Sequence, residues 1–153
     1  MVLSKRTRGG VAVLVAIIFA VTVGFIVIKQ AESRTTKLKL SPGSSIAKEY
    51  KLENVTSSAD QAKGLSGRSG LDPGSGMLFK YENVEKRCMW MKDMKFNIDI
   101  LWLDGNNRIS SIVRDLSPTT YPQSYCADAK YVIELKAGEA DKHNLRVGQV
   151  IKL

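Results

Sequence analysis

Cysteine, histidine and aromatic residues are scarce in this sequence: 153 residues hold two cysteines, one histidine and 7% aromatics. Two cysteines are too few for a disulfide-stapled mini-protein or a self-contained four-ligand zinc site. There is no Cys-x-x-Cys, no Gly-x-Ser-x-Gly elbow, no His-Glu-x-x-His and no glycine loop ending in Gly-Lys-Ser/Thr. Thioredoxin-type redox chemistry, standard serine hydrolases, zinc proteases and phosphate-binding loops therefore lack their nucleophile, ligands or cradle. No metal and no cofactor is expected. Internal repeats and low-complexity tracts are missing too, and 44% hydrophobic residues against 25% charged ones exclude wholesale disorder. The length suits one ordinary domain.

One run carries no charge at all. Val11 to Ile28 reads VAVLVAIIFAVTVGFIVI, long enough with the preceding glycines to cross a hydrocarbon core of about 30 Å as a helix. The expectation is a single transmembrane helix over 11–28, after a basic cytoplasmic N-terminus over 1–10, in contact with the lipid bilayer. A cleaved secretory signal is the competing reading, but its apolar region is usually about 7–15 residues and ends in a small-x-small site. Lys29-Gln30-Ala31 offers a lysine there, so an uncleaved signal anchor is preferred. Lys5, Arg6 and Arg8 precede the span with no acid among them, which favours a single-pass arrangement in the cytoplasmic membrane with the C-terminal body outside. Setting those three aside leaves 20 basic against 15 acidic residues. No stretch interleaves clustered Lys/Arg with aromatics, so nucleic acid is not an expected partner.

After the span, residues 29–43 read as a tether closed by Ser41-Pro42-Gly43, and 44–153 as the body. Ile46 to Leu52 reads as a strand. Ser58-Ala59-Asp60-Gln61 has the form of a capping box opening a short helix, with Ser58 as cap, that Gly64 ends. Gly64 to Gly76 is a glycine-rich loop holding Arg68. Met77 to Tyr81, Cys88 to Met91 and Ile98 to Leu103 read as strands. In the last, Ile98, Ile100 and Trp102 share one face while Asp99, Leu101 and Leu103 share the other. Asp104-Gly105-Asn106-Asn107 is a turn, with Arg108 to Arg114 completing a hairpin. Leu116 to Ala129 is read as a long loop, Tyr131 to Leu135 as a strand, Glu139 to Asn144 as a helical turn and Val147 to Leu153 as a final strand. Many short strands separated by turns predict a mainly β fold, a compact sandwich or barrel-like domain with one or two short helices.

Several segments resemble a known family: Ala62-Lys63-Gly64-Leu65-Ser66-Gly67-Arg68, Gly76-Met77-Leu78-Phe79, Cys88-Met89-Trp90-Met91-Lys92-Asp93, Ile98-Asp99-Ile100-Leu101-Trp102-Leu103-Asp104 and Tyr131-Val132-Ile133-Glu134-Leu135. In that order they resemble the prokaryotic domain of unknown function 192, over roughly Ile46 to Leu153. The resemblance implies a mainly β, sandwich-like fold, often exported or membrane-attached, and no agreed activity. The chain departs from the family pattern at Asn97, where proline is expected, and at Asp93, where asparagine is common.

Candidate chemistry is sparse. Cys88 and Cys126 read as a structural disulfide if the body lies in an oxidising compartment, as buried or free thiols if not, and least readily as a reactive pair. Trp90 with Lys92 and Asp93 sets an aromatic plate beside a cation and an acid, suited to stacking on a flat ligand; alternatively Trp90 and Met91 fill the core. Arg68 can grip a carboxylate or phosphate, or pair with Asp99 or Glu134 to fix its loop. Two of Asp99, Asp104 and Glu134 would suffice for a glycosidase-type acid/base pair at the right separation, although Asp104 fits a turn starter better. These features predict a binding or accessory module at the outer face of the cytoplasmic membrane, engaging an envelope glycan, peptide or partner protein through Trp90, Lys92, Asp93, Arg68 and Asp99. The alternatives are a hydrolase of envelope polymers using Asp99 or Glu134, and an assembly partner acting through the span.

Overall fold

The computed structural model describes residues 34–40 and 48–153, and Thr35–Leu153 forms one compact unit. The expected basic N-terminus and the span over 11–28 lie outside the described residues. No helix among the described residues is long and apolar enough to cross a membrane.

Among the described residues, six strands build the fold: β1 (Thr35–Leu40), β2 (Lys48–Val55), β3 (Ser75–Trp90), β4 (Ile98–Leu103), β5 (Ile109–Leu116) and β6 (Ser124–Lys136), with short helices α1 (Ser58–Lys63) and α2 (Glu139–Lys142). The mainly β class with two short helices is as expected. All six strands join one sheet in the order β1-β2-β3-β6-β4-β5, rather than two facing sheets. Only β2 and β3 pair in parallel, because α1 and the glycine loop between them supply the crossover that a parallel pair needs.

Both faces of the sheet are covered. Strand β3 puts Leu78 on one face and Met77 and Phe79 on the other; β4 puts Leu101 and Leu103 with the first, Ile98, Ile100 and Trp102 with the second. All six residues of β4 are buried, as a central strand with two covered faces requires. Gly76 is obligatory where β3 meets β6: a Cβ there would lie 2.7 Å from the Glu134 carbonyl oxygen and 2.8 Å from the Leu52 and Leu135 side chains.

The structure corrects several boundaries. The expected tether over 29–43 supplies β1, whose Leu38 and Leu40 are buried while Lys37 and Lys39 face out, the period-two pattern of a half-covered edge strand. Strand β3 is one continuous 16-residue strand with an irregularity between Lys80 and Glu85, not two short ones. It pairs with a β6 that starts at Ser124, so the expected loop over 116–129 is shorter and includes a 3₁₀ turn at Pro118–Thr120. The cap of α1 is Ser57 rather than Ser58; its Oγ accepts from the Asp60 amide, while Gln61 turns away to donate to the Lys80 carbonyl. Gly64 does end the helix, at φ +49°. The expected last strand is reduced to single bridges, Val150 with Arg108 and Lys152 with Lys39.

Candidate functional site

Strands β3 and β6 continue past the main sheet as a two-stranded ribbon. Cys88 and Cys126 stand directly opposite each other in its register, with Cα atoms 4.1 Å apart, and form a disulfide. Both residues are exposed. Met89 and Met91, at and just beyond the end of the ribbon strand, are buried in the same cluster as Phe79, which folds this end of the ribbon back over one sheet face. Between it and the segment 61–66 lies a cleft of about 220 Å³, lined among others by Gly64, Leu65, Phe79, Tyr81, Trp90 and Glu134.

Two of these residues differ from ordinary lining. Trp90 is 50% exposed and Glu134 only 4% exposed. The Glu134 carboxyl makes no hydrogen bond to protein, and its Oε2 is fully buried. Burial pushes its pKa up to about 8, with the Arg68 charge pulling the other way. A neutral carboxyl is a donor as well as an acceptor, so a group that holds its proton near neutrality is able to offer both to a ligand. Tyr81 lies beside it, its ring 4.0 Å from the Arg87 guanidinium; burial chiefly raises the Tyr81 pKa, Arg87 opposing.

The structure separates the residues nominated from sequence. Trp90 lines the cleft. Lys92 and Asp93 are exposed beyond the end of β3 and do not line it. Their carbonyls instead brace the opposite wall, accepting from Ser66 Oγ at 2.7 Å and from the Gly67 amide at 2.9 Å. Asp93 sits at φ +55°, a conformation that asparagine and aspartate tolerate better than most side chains. Arg68 pairs with Glu53 at 2.8 Å, not with Asp99 or Glu134, and borders a separate recess with Lys51 and Asp72. Asp99 lies on the other face of the sheet. Its Oδ1 accepts from the Asp115 amide at 2.8 Å and its Oδ2 from the Ala140 amide at 2.7 Å, so both oxygens fix backbone. Asp104 caps its turn through the Asn106 and Arg108 amides.

A second polar group was not expected. Buried Tyr50 donates to Glu139 and lies 2.8 Å from His143 Nε2, while His143 Nδ1 is buried without a partner. Burial raises the Tyr50 pKa, reinforced by Glu139, and lowers that of His143 against the pull of Glu139. Burial opposes ionisation of Glu139, yet the Tyr50 hydroxyl with Lys142 and Lys48 holds its pKa below the usual range. Glu139 and His143 stand four residues apart on α2 and its C-cap, but Tyr50 comes from the distant β2, so no local spacing joins all three. Among the described residues, no three or more His, Cys, Asp or Glu are grouped to hold a metal ion.

No curated protein matches the chain. Two crystal structures share its fold. One, from Sinorhizobium meliloti 1021, is named as a candidate transcription regulator, with 22% identity, TM-score 0.70, and 77% of this chain and 92% of that one covered. The other is a protein of unknown function from Novosphingobium aromaticivorans DSM 12444, with 23% identity, TM-score 0.70, and coverages of 78% and 85%. At these identities the likeness speaks of the fold alone. The family is decided by the sequence: over residues 31–153 the chain belongs to domain of unknown function 192, described as an uncharacterized ACR.

Proposed function

We propose that the protein is a membrane-anchored binding or accessory module whose β domain works outside the cytoplasm, using the cleft between α1 and the β3–β6 ribbon to hold part of an envelope glycan or peptide. The observation that carries this reading is the Glu134 carboxyl, buried and without a protein partner at the floor of an open cleft. Burying a polar group unpaired costs stability, so such a group marks a place where a ligand completes the bonding. The half-exposed Trp90 at the rim adds an aromatic platform. The charge-free run over 11–28 supports the anchor, and a disulfide fits an oxidising compartment.

The test has two arms. Intact cells are treated with a membrane-impermeant thiol reagent, with and without prior mild reduction; labelling of Cys88 and Cys126 only after reduction places the body outside. Labelling only after lysis overturns the location. The full-length protein, carrying ¹³C-methyl methionine, is then titrated with envelope glycan and peptide fragments. Shifts at Met89 and Met94, which line the cleft, with Met77 and Met91 unmoved, support the site. No shift at either lining methionine overturns it.

A hydrolase of envelope polymers is the second reading, favoured by the same carboxyl because it stays protonated near neutrality and is able to act as a general acid. It ranks lower: paired-carboxylate hydrolysis needs a second acid about 5–10 Å away, and among the described residues Glu134 is the one acid lining the cleft. Fragment release with a pH–rate profile that changes in Glu134→Gln would reverse the ranking.

A further inference from the structure

We infer that the cleft recognises an uncharged, hydroxylated ring, a carbohydrate, stacked against Trp90 and hydrogen-bonded to the Glu134 carboxyl. This rests on the binding reading above and names its ligand class. Three features select it. First, the cleft sets apolar walls from Phe79, Met89 and Met94 beside the polar side chains of Gln61, Ser66 and Tyr81, a mixture that suits a ring with one apolar face and several hydroxyls. Second, the most deeply buried polar side chain among the described residues lining the cleft is the Glu134 carboxyl, whose Oε2 is without a partner; a neutral carboxyl gives one hydrogen bond and accepts another, which matches ring hydroxyls. Third, Trp90 stands half exposed at the rim, where its face can cover the apolar side of a sugar ring.

The surrounding charges argue against an organic cation, the usual partner of an acid set among aromatic rings. Lys63 of α1 lines the cleft, the Arg68 charge reaches Glu134 from the following loop, and Arg87 of β3 already lies on the Tyr81 ring. An ammonium ligand would meet Lys63 in the cleft itself, with the Arg68 and Arg87 charges close behind its lining. An anion would find exposed Lys63 at the rim but a carboxyl at the floor.

Glu134 ionises with a pKa of about 8; the titratable groups lining the cleft with it are Lys63 and Tyr81, the latter shifted above its ordinary value. Carbohydrate binding should therefore weaken as pH rises through 8. The experiment uses full-length protein in a polyoxyethylene detergent, which has no sugar headgroup, with ¹³C-methyl methionine as reporter. N,N′-diacetylchitobiose is the uncharged probe and n-butylammonium the cationic one. The disaccharide is expected to move the Met89 and Met94 signals, with affinity falling about tenfold between about pH 6.5 and about pH 9 as the neutral fraction drops. Glu134→Gln, which cannot ionise, is expected to bind more weakly at the lower pH yet equally at both. Saturation by n-butylammonium that tightens with pH would overturn the inference in favour of a cation site. Methionine shifts with the disaccharide but equal wild-type affinity at the two pH values would overturn it too, leaving the binding reading intact. Silence of both lining methionines with every probe would sink the binding reading and this inference together.

Discussion

Asp99 and Glu134 are both acids, both buried, and sit in adjacent register pairs of the same two strands: Asp99 opposite Leu135, Ile100 opposite Glu134. They face opposite sides of the sheet. Asp99 spends both oxygens on backbone amides, tying β5 and the start of α2 to β4. Glu134 leaves its Oε2 without a partner. A buried carboxylate with two amide donors is part of the scaffold; one without donors costs stability where it stands, and the sheet tolerates it beside an open cleft. One strand pair thus carries a closed face that holds the fold together and an open face left with bonding capacity.

Removing the closed-face acid should have the largest effect. Asp99→Ala strands the Asp115 and Ala140 amides, the second of them buried, and two charge-assisted bonds lost at once should cost about 4 kcal/mol in chemical denaturation. A loss under about 1 kcal/mol would mean that water replaces the carboxylate and that the two faces differ less than their hydrogen bonds imply.

Next comes the disulfide, which staples the ribbon on the open side. With Cys88 and Cys126 separated by 38 positions, reduction should cost up to about 4 kcal/mol by the chain-entropy argument. The regional effect sharpens the contrast further. Hydrogen exchange after reduction should speed up at Met89 and Tyr125 in the ribbon and stay slow at Ile100 and Leu101 in the sheet centre. Uniform acceleration would show that the ribbon and the sheet open as one unit.

The open-face acid should behave in the opposite sense. Its folded-state pKa of about 8 lies above the ordinary 4.5, so the native state holds the proton more tightly than the unfolded chain. The penalty is absent below about pH 4.5, grows as pH rises, and levels off above about pH 8. Glu134→Gln should accordingly stabilise the protein by up to roughly 3 kcal/mol at neutral pH, with no gain at about pH 4.5. Stabilisation that did not vary with pH would detach the effect from the proton.

Much of this frame was legible in the sequence, and the missing parts share a cause. Strand β4 was readable because six residues alternate Ile98, Ile100 and Trp102 against Asp99, Leu101 and Leu103, and its turn because Asp104-Gly105 has few other uses. Strand β1 was hidden because only Leu38 and Leu40 are apolar in a segment otherwise read as a tether. The ribbon was hidden because residues 82–88 and 123–128 carry little hydrophobic signal; backbone pairing and the disulfide hold it, not a buried stripe. The cleft depends on α1 and the ribbon end meeting over β6, a contact among segments dozens of residues apart that no local pattern encodes. Glu134 did show itself as an acid inside an apolar strand, but only the fold reveals that Arg68 pairs elsewhere.

The smallest stability effect should come from Trp90, and it is the most informative about function. Trp102 is fully buried in the sheet core and donates its indole N–H to the Arg87 carbonyl, whereas Trp90 leaves half its surface to solvent. Trp90→Ala should therefore change stability by under about 0.5 kcal/mol, as for surface positions with no special contact. If the open face is a binding face, the same change should weaken disaccharide binding by about tenfold, the worth of one aromatic contact. Unchanged binding would remove Trp90 from the site and leave the Glu134 floor to account for recognition alone. A large loss of stability would instead make Trp90 part of the scaffold, and the open face would then begin deeper, at Phe79 and Glu134.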